Sequence, residues 1–249
     1  MSEDIKGSSR PSRWHRSARV AWAVVTVFVV ESLVFGLAML PAVAFWTWHF
    51  QWGGIPAVLR VVFLAMASVP AYLLFAAGLM VYSAGAARLL GWRTRSGLAT
   101  PIADFEWPLL DWGRYLVTTH VVRLFAGAVF RSTPVWTMYM RLNGARIGRG
   151  VWVNSLALMD HNLLEMGDGT VIGSDAHVAG HIVEHGILRT ASVRLGRGVT
   201  IGIGTVVEIG VDVGDRTAVG ALSVVPKFSK LASSSVYGGV PVRRLTPGA

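Results

Sequence analysis

Histidine is scarce in this chain, seven in 249 residues, yet His161, His177, His181 and His185 fall within one short stretch. Asp160 precedes the first of them and Glu184 stands between the last two. A neutral imidazole can take a proton from a hydroxyl or amine near neutral pH, because its ordinary pKa is near 6.5. A carboxylate beside it fixes the ring tautomer and stabilises the imidazolium. Two assignments stay open: His181 as base, oriented by Asp160 or alternatively by Glu184, and His161 as base beside Asp160. Backbone N–H groups at a nearby corner would hold a developing oxyanion. The chain has no cysteine, which excludes thiolate catalysis and disulfides and fits a reducing compartment.

The elements that position these groups announce themselves by period. Leu195, Ile201, Val207, Val213, Val219 and Val225 recur at every sixth position, and Gly follows in Leu195-Gly196, Ile201-Gly202, Val213-Gly214 and Val219-Gly220. Ile147-Gly148, Val153, Met159, Met166-Gly167, Ile172-Gly173 and Val178 form an earlier run, with one residue inserted after Met159. A six-residue period suits no amphipathic helix. It suits a solenoid whose hexapeptides each supply one short strand and one corner, the aliphatic side chain pointing inward. Three faces make a coil, giving about five coils. The period breaks at Met159-Asp160-His161-Asn162 and at Gly180–Gly186, where Val178 and Leu195 stand 17 apart rather than 18. Setting Met159 beneath Val178 stacks the two breaks, with Asn162 under His181, His161 under Gly180 and His177 on a neighbouring part of the coil. Breaks in a rigid scaffold are where function concentrates.

This spacing resembles the hexapeptide-repeat, or left-handed β-helix, family. The tail Tyr237-Gly238-Gly239-Val240-Pro241-Val242-Arg243 is similar to the Gly-x-Pro-Ala-Lys/Arg segment that closes many such domains, with Val242 in place of Ala. The resemblance implies a left-handed parallel β-helix, acyl transfer from acyl-CoA and a homotrimer with sites between subunits. It places CoA in a groove near the C-terminal coils, where Gly202, Gly204, Gly220 and Ser223 would allow close approach. Lys227, Lys230, Arg243 or Arg244 would meet its phosphates. Asp160-His161 resembles the Asp-His pair of serine acetyltransferases.

Two metal readings are weaker. His181-Ile182-Val183-Glu184-His185 matches the His-x-x-Glu-His pattern of inverted zinc proteases, but that pattern needs a helix and here sits among glycines and β-branched residues. The γ-class carbonic anhydrases share the solenoid and use three histidines. Their two histidines five apart are not reproduced in this spacing, so no metal is expected.

The N-terminal half has a different composition. Val20–Phe50 and Ile55–Leu90 are long apolar runs, each exceeding the roughly 20 residues that a helix needs to cross a bilayer. The first is too long for a cleaved signal peptide, and a second follows at once. Met1–Arg141 carries 13 Lys+Arg against 6 Asp+Glu, whereas Leu142–Ala249 carries 10 against 8. The basic excess therefore belongs to the membrane half and speaks for an anionic leaflet rather than nucleic acid. Lys6, Arg10, Arg13, Arg16 and Arg19 precede the first run, and Arg88, Arg93 and Arg95 follow the second. The positive-inside rule then puts both ends, and the solenoid, on the cytoplasmic side of a bacterial-type inner membrane. The amphipathic stretch Phe105–Tyr139 reads as interfacial helices.

The expected architecture is a transmembrane α-helical hairpin with interfacial helices, followed by a left-handed parallel β-helix. Its boundaries are a basic terminus at 1–19, two spans in 20–90, linker and interfacial helices in 91–141, the β-helix in 142–230 and a closing segment at 231–249. Thr133-Pro134, Leu142–Gly148, Gly167-Asp168 and Gly180–Glu184 make the chain similar to membrane-linked β-helix modules in the C-terminal region of poly-lysine-synthetase-like peptide synthetases. That resemblance implies acyl or aminoacyl transfer, or support of a polymer-making enzyme. The expected activity is transfer of an acyl group, from acyl-CoA or a carrier thioester, to a hydroxyl or amine at the cytoplasmic membrane face. The alternative is a non-catalytic trimeric scaffold for a peptide-synthetase-like partner. Membrane lipids are expected partners under both.

Overall fold

The computed structural model describes residues 13–245. Lys6 and Arg10 of the basic terminus lie outside the described residues. The two apolar runs form helices α1 (Arg13–Phe50) and α2 (Ala57–Leu89), which fold back on each other through a turn closed by Arg60 donating to the Trp52 carbonyl at 2.7 Å. Both are long and apolar enough to cross a membrane. Their shared seam is small and aliphatic, with Ala38, Ala76, Leu79 and Met80 buried, while Val24, Phe28, Leu33, Val61 and Met66 remain on the outside.

After α2 the chain crosses the solenoid's flank as strand β1 (Ala99–Pro101), then enters α3 (Trp107–Val122). Helix α3 lies against α1, with Arg19 over the Trp107 ring at 6.0 Å, and just beyond α3 Phe125 meets Phe35 of α1 edge-on at 5.1 Å. A π-turn at Arg123–Gly127 and a short helix at Pro134–Leu142 lead into the repeats. Arg131 locks the junction: Nε donates to Asn154 Oδ1 at 3.0 Å and Nη2 pairs with Asp175 at 2.9 Å.

The repeats form a three-sided parallel β-helix. Arg146–Ile147, Leu164–Met166, Val193–Leu195, Asp212–Val213 and Lys230–Leu231 stack on one side. Trp152–Val153, Val171–Ile172, Thr200–Ile201, Ala218–Val219 and Val236–Gly238 make the second, with Arg243–Leu245 returning antiparallel at its end. His177–Val178, Val206–Val207 and Val224–Val225 make the third. The sixth-position residues fill the interior, Ile172, Val178, Ile201 and Val207 being fully buried. Each such side chain contributes roughly 1.5–3 kcal/mol. Glycine follows Ile172 and Ile201 because neighbouring coils touch there: a Cβ on Gly202 would sit 2.4 Å from the Ala221 nitrogen.

Two expectations need correction. Leu158, not Met159, bridges Val178 and points inward, because Ser155 Oγ accepts from Ala157 N at 3.0 Å and tightens the preceding corner. Asn162 consequently does not stack under His181. The break between Val178 and Leu195 does leave the solenoid, but as paired strands and not as an irregular loop. Val171 stacks under Thr200, 29 residues on, whereas Thr200 stacks under Ala218, 18 on. The surplus is an antiparallel hairpin, His181–Glu184 with Ile187–Thr190, thrown outward from the coil. Its turn residues His185 and Gly186 both have positive φ, 51° and 74°, as a tight two-residue hairpin turn requires. Strand β1 adds to its outer edge, Thr100 opposite Leu188.

Candidate active site

The two breaks do meet, at Asp160 and Gly180. Asp160 sits in the left-handed region, φ 54°, and starts the tight turn His161–Leu163. Gly180 makes the approach possible, since a Cβ there would come within 2.9 Å of Leu163 and 3.0 Å of the Asp160 Cβ. Asp160 is buried, and three donors converge on its carboxylate. His181 Nδ1 lies 2.5 Å and Gly180 N 3.1 Å from Oδ2, and Thr94 Oγ1 donates to Oδ1 at 2.6 Å. A carboxylate this well supplied accepts only, so the proton of the 2.5 Å bond resides on Nδ1 and the Nε2 lone pair is left free. The His181 side chain is 16% exposed, and its ring meets Trp112 of α3 edge-on at 5.0 Å.

The other candidates are placed differently. His161 is buried between Trp136 and Tyr139, whose rings lie 6.5 and 5.7 Å away, at the wall of a cavity of about 310 Å³ between α3 and the first coil. Burial lowers its pKa to about 4, against the pull of Asp160, and its Nδ1 has no hydrogen-bond partner. A base that weak has little driving force to take a hydroxyl or amine proton. Glu184 is not at His181: it lies along the hairpin and pairs with Lys227 at 2.5 Å, which holds its carboxyl below the usual range. His177 faces outward beside His181, and burial, then the neighbouring imidazole, keeps it below the ordinary histidine range. His181–Glu184 is a strand, so the His-x-x-Glu-His spacing does not put its two histidines on one helical face.

Around the C-terminal coils, Gly202 serves coil stacking, and Ser223 is buried with Oγ accepting from Gly239 N at 3.1 Å. Gly204 and Gly220 lie at corners, Gly204 with φ 63°, and Arg243 is exposed on the closing strand. Lys227 is taken up by Glu184.

Thr94 and Trp112 escaped the sequence reading. The stretch after α2 read only as a basic flank, and nothing local sets Thr94 apart from the hydroxyls of Ser96 and Thr100 nearby. Asn162 clamps that threonine from both sides, Nδ2 donating to the Thr94 carbonyl at 2.6 Å and Oδ1 accepting from its N–H at 3.3 Å.

No family model matches the chain. A segment is 31% identical over 118 residues to galactoside O-acetyltransferase of Escherichia coli, covering 44% of this chain and 56% of that one. Another comparison gives 26% identity over 111 residues to delta-poly-L-ornithine synthetase of Acinetobacter baumannii, covering 45% of this chain and 8% of the synthetase. The chain therefore spans about half of one curated relative and under a tenth of the other. Among solved structures, a hexapeptide-repeat acetyltransferase of Vibrio cholerae complexed with acetyl coenzyme A aligns at 24% identity over 41% of this chain and 60% of its own, with a TM-score of 0.38. Over less than half of its length the chain is thus similar to a galactoside O-acetyltransferase and to a poly-ornithine synthetase.

Proposed function

We propose that the chain is a membrane-anchored acyltransferase that moves an acyl group from acyl-CoA to a hydroxyl or amine acceptor at the cytoplasmic face. The observation that carries this reading is the His181–Asp160 pair at 2.5 Å, built by two breaks in an otherwise regular solenoid. Bound acyl-CoA would supply an activated thioester carbonyl. His181 Nε2 takes the acceptor's proton as the acceptor oxygen or nitrogen bonds the carbonyl carbon, and returns it to sulfur as the C–S bond breaks. Asp160 keeps Nδ1 protonated and stabilises the imidazolium. The exposed Arg243 and Arg244 suit the CoA phosphates, with Gly204 and Gly220 at adjacent corners.

The wider reading has α1 and α2 as the anchor, the solenoid as left-handed, and domain limits near residues 90, 141 and 230. Basic flanks and the apolar outer faces of both helices support the membrane assignment. Trp112 supports a membrane-delivered acceptor, since it both touches His181 and lines an apolar groove of about 640 Å³ between α1 and α3. A homotrimer is supported by the corner where Leu222 N donates to the Ile203 carbonyl, leaving two large apolar side chains stacked and 75% and 59% exposed.

Calorimetry of CoA and acetyl-CoA with the detergent-purified protein and His181→Ala tests the reading, together with release of CoA thiol from acetyl-CoA with water in the acceptor's place. Saturable binding by both proteins, with thiol release by the native protein alone, is expected. No binding at millimolar ligand by a folded protein overturns the acyl-CoA donor and leaves a carrier thioester or a scaffold. Undiminished thiol release by the variant overturns His181 as base.

A further inference from the structure

A second site lies behind the His181–Asp160 pair, on the far side of Thr94. Where α2 ends, a cavity of about 640 Å³ opens between the helical half and the first coils, with Arg88, Arg93 and Arg95 in its wall. Among the described residues no carboxylate lines it, and neither the Arg93 nor the Arg95 side chain has an ion pair. Three cations facing one concavity repel one another, and an anion bound among them relieves that repulsion. The inner wall adds unmet hydrogen-bonding capacity. Asn143 is 7% exposed and its Oδ1 has no partner; Tyr115 is 1% exposed, and its hydroxyl faces the His161 and Asn162 amides without a hydrogen bond of normal geometry. Burial holds the Tyr115 phenol well above its usual range, so it stays a neutral donor.

We propose that this cavity binds a phosphate ester, its oxygens held by the guanidinium groups of Arg93 and Arg95 with Arg88 at the rim. Guanidinium forks match phosphate oxygens two at a time, which an ammonium does not. The site has a route to the pair. Arg93 and Arg95 flank Thr94, whose hydroxyl holds Asp160 and whose backbone is clamped by Asn162. Drawing both arginines onto one anion fixes that strap, and with it the carboxylate that orients His181. The phosphate could belong to a lipid headgroup at the membrane surface or to a soluble ester, and the chemistry at the arginines is the same.

The site does not depend on the acyltransferase reading, because binding is measured without turnover. The purified full chain, in a neutral detergent, is titrated calorimetrically with glycerol phosphate and with dihexanoylphosphatidic acid. Saturable binding of at least one probe is expected, weakened about tenfold or more by Arg93→Ala/Arg95→Ala and unchanged by Arg216→Ala, which removes an exposed corner arginine elsewhere. Equal affinity for both probes identifies a soluble phosphate ester; binding of the tailed probe alone identifies a lipid headgroup. If the alanine pair fails to fold, Arg93→Ala and Arg95→Ala singly should each weaken binding about threefold or more. No binding of either probe, or equal loss in Arg216→Ala, or unchanged binding in the single variants, overturns the proposal.

Discussion

The break at Asp160–Leu163 turns inward, under α3 and the helix Pro134–Leu142, and each of Asp160, His161 and Leu163 is at most 5% exposed. The break at His181–Thr190 turns outward as a hairpin, half-covered by β1, and leaves its first imidazole in reach of solvent. Both breaks bring a histidine next to the same carboxylate in sequence or in space. Only one of those histidines receives the carboxylate as a hydrogen-bond partner. Under the acyltransferase reading, the inward break supplies the orienting carboxylate and the outward break supplies the imidazole that faces the reactants. A site divided in this way keeps the desolvated acid away from solvent while the base faces the reactants.

The largest effects should fall on that division. Under the acyltransferase reading His181→Ala lowers CoA-thiol release about a thousandfold, a typical worth for a positioned general base. Asp160→Asn lowers it by about a hundredfold or more, because an amide at this position presents an N–H to donors and releases the His181 tautomer. His161→Phe, in contrast, changes the rate by less than about threefold. Rates measured on the three purified variants break the comparison if His161→Phe costs as much as His181→Ala.

Next comes a stability effect confined to the inward break. Burial lowers the His161 pKa from 6.5 to about 4, so the folded protein resists a proton that the unfolded chain accepts. Stability is therefore full above about pH 6.5, falls as pH drops through the window between the two values, and levels off near pH 4. The loss amounts to about 3 kcal/mol. His177, also lowered, adds a smaller loss of the same sign. Denaturant midpoints in detergent, followed from pH 7 to pH 4, should decline in the native protein and flatten in His161→Phe. An equal decline in both would mean that His161 is open to water after all.

How far these features were legible depends on the kind of interaction that makes them. The inward residues from Leu195 to Val225 could be read straight off the sequence, because a strictly repeated coil leaves one aliphatic position per face. Helices α1 and α2 were equally plain, since length and composition alone set what can cross a bilayer. Leu158 was missed because its neighbour Met159 is also apolar, and the choice between them is made by a Ser155 side chain that tightens the corner. The hairpin was legible only as a break in the period, because its antiparallel pairing is a tertiary fact completed by β1. The Asp160–His181 pair was reached through a wrong register and survived because the hairpin starts one residue after Gly180, the point of closest approach. Thr94, 66 residues from Asp160, carries no local signal at all.

Thr94 offers a finer cut. Thr94→Val keeps the shape and removes the hydroxyl that donates to Asp160 Oδ1 at 2.6 Å. A buried carboxylate oxygen left without its donor is worth roughly 1–3 kcal/mol, so kcat should fall about tenfold with KM for acetyl-CoA unchanged. Thr94→Ser should restore the rate. A KM effect in place of a kcat effect, or no rescue by serine, would make Thr94 a packing residue only.

The smallest effect belongs to the tip of the outward break. Glu184 meets Lys227 at 2.5 Å on the exposed edge of the hairpin, where water and salt screen both charges. Glu184→Gln should leave thiol release within about twofold of the native rate, and the same holds for Lys227→Ala. The measurement is worth making because Glu184 was the alternative partner for His181 on sequence grounds. A hundredfold loss in Glu184→Gln would mean that the hairpin swings its carboxylate onto the imidazole during turnover. Asp160 would then be a structural anchor for Gly180 and Thr94, and the division between a buried acid and an open base would have to be redrawn with both groups on the outward break.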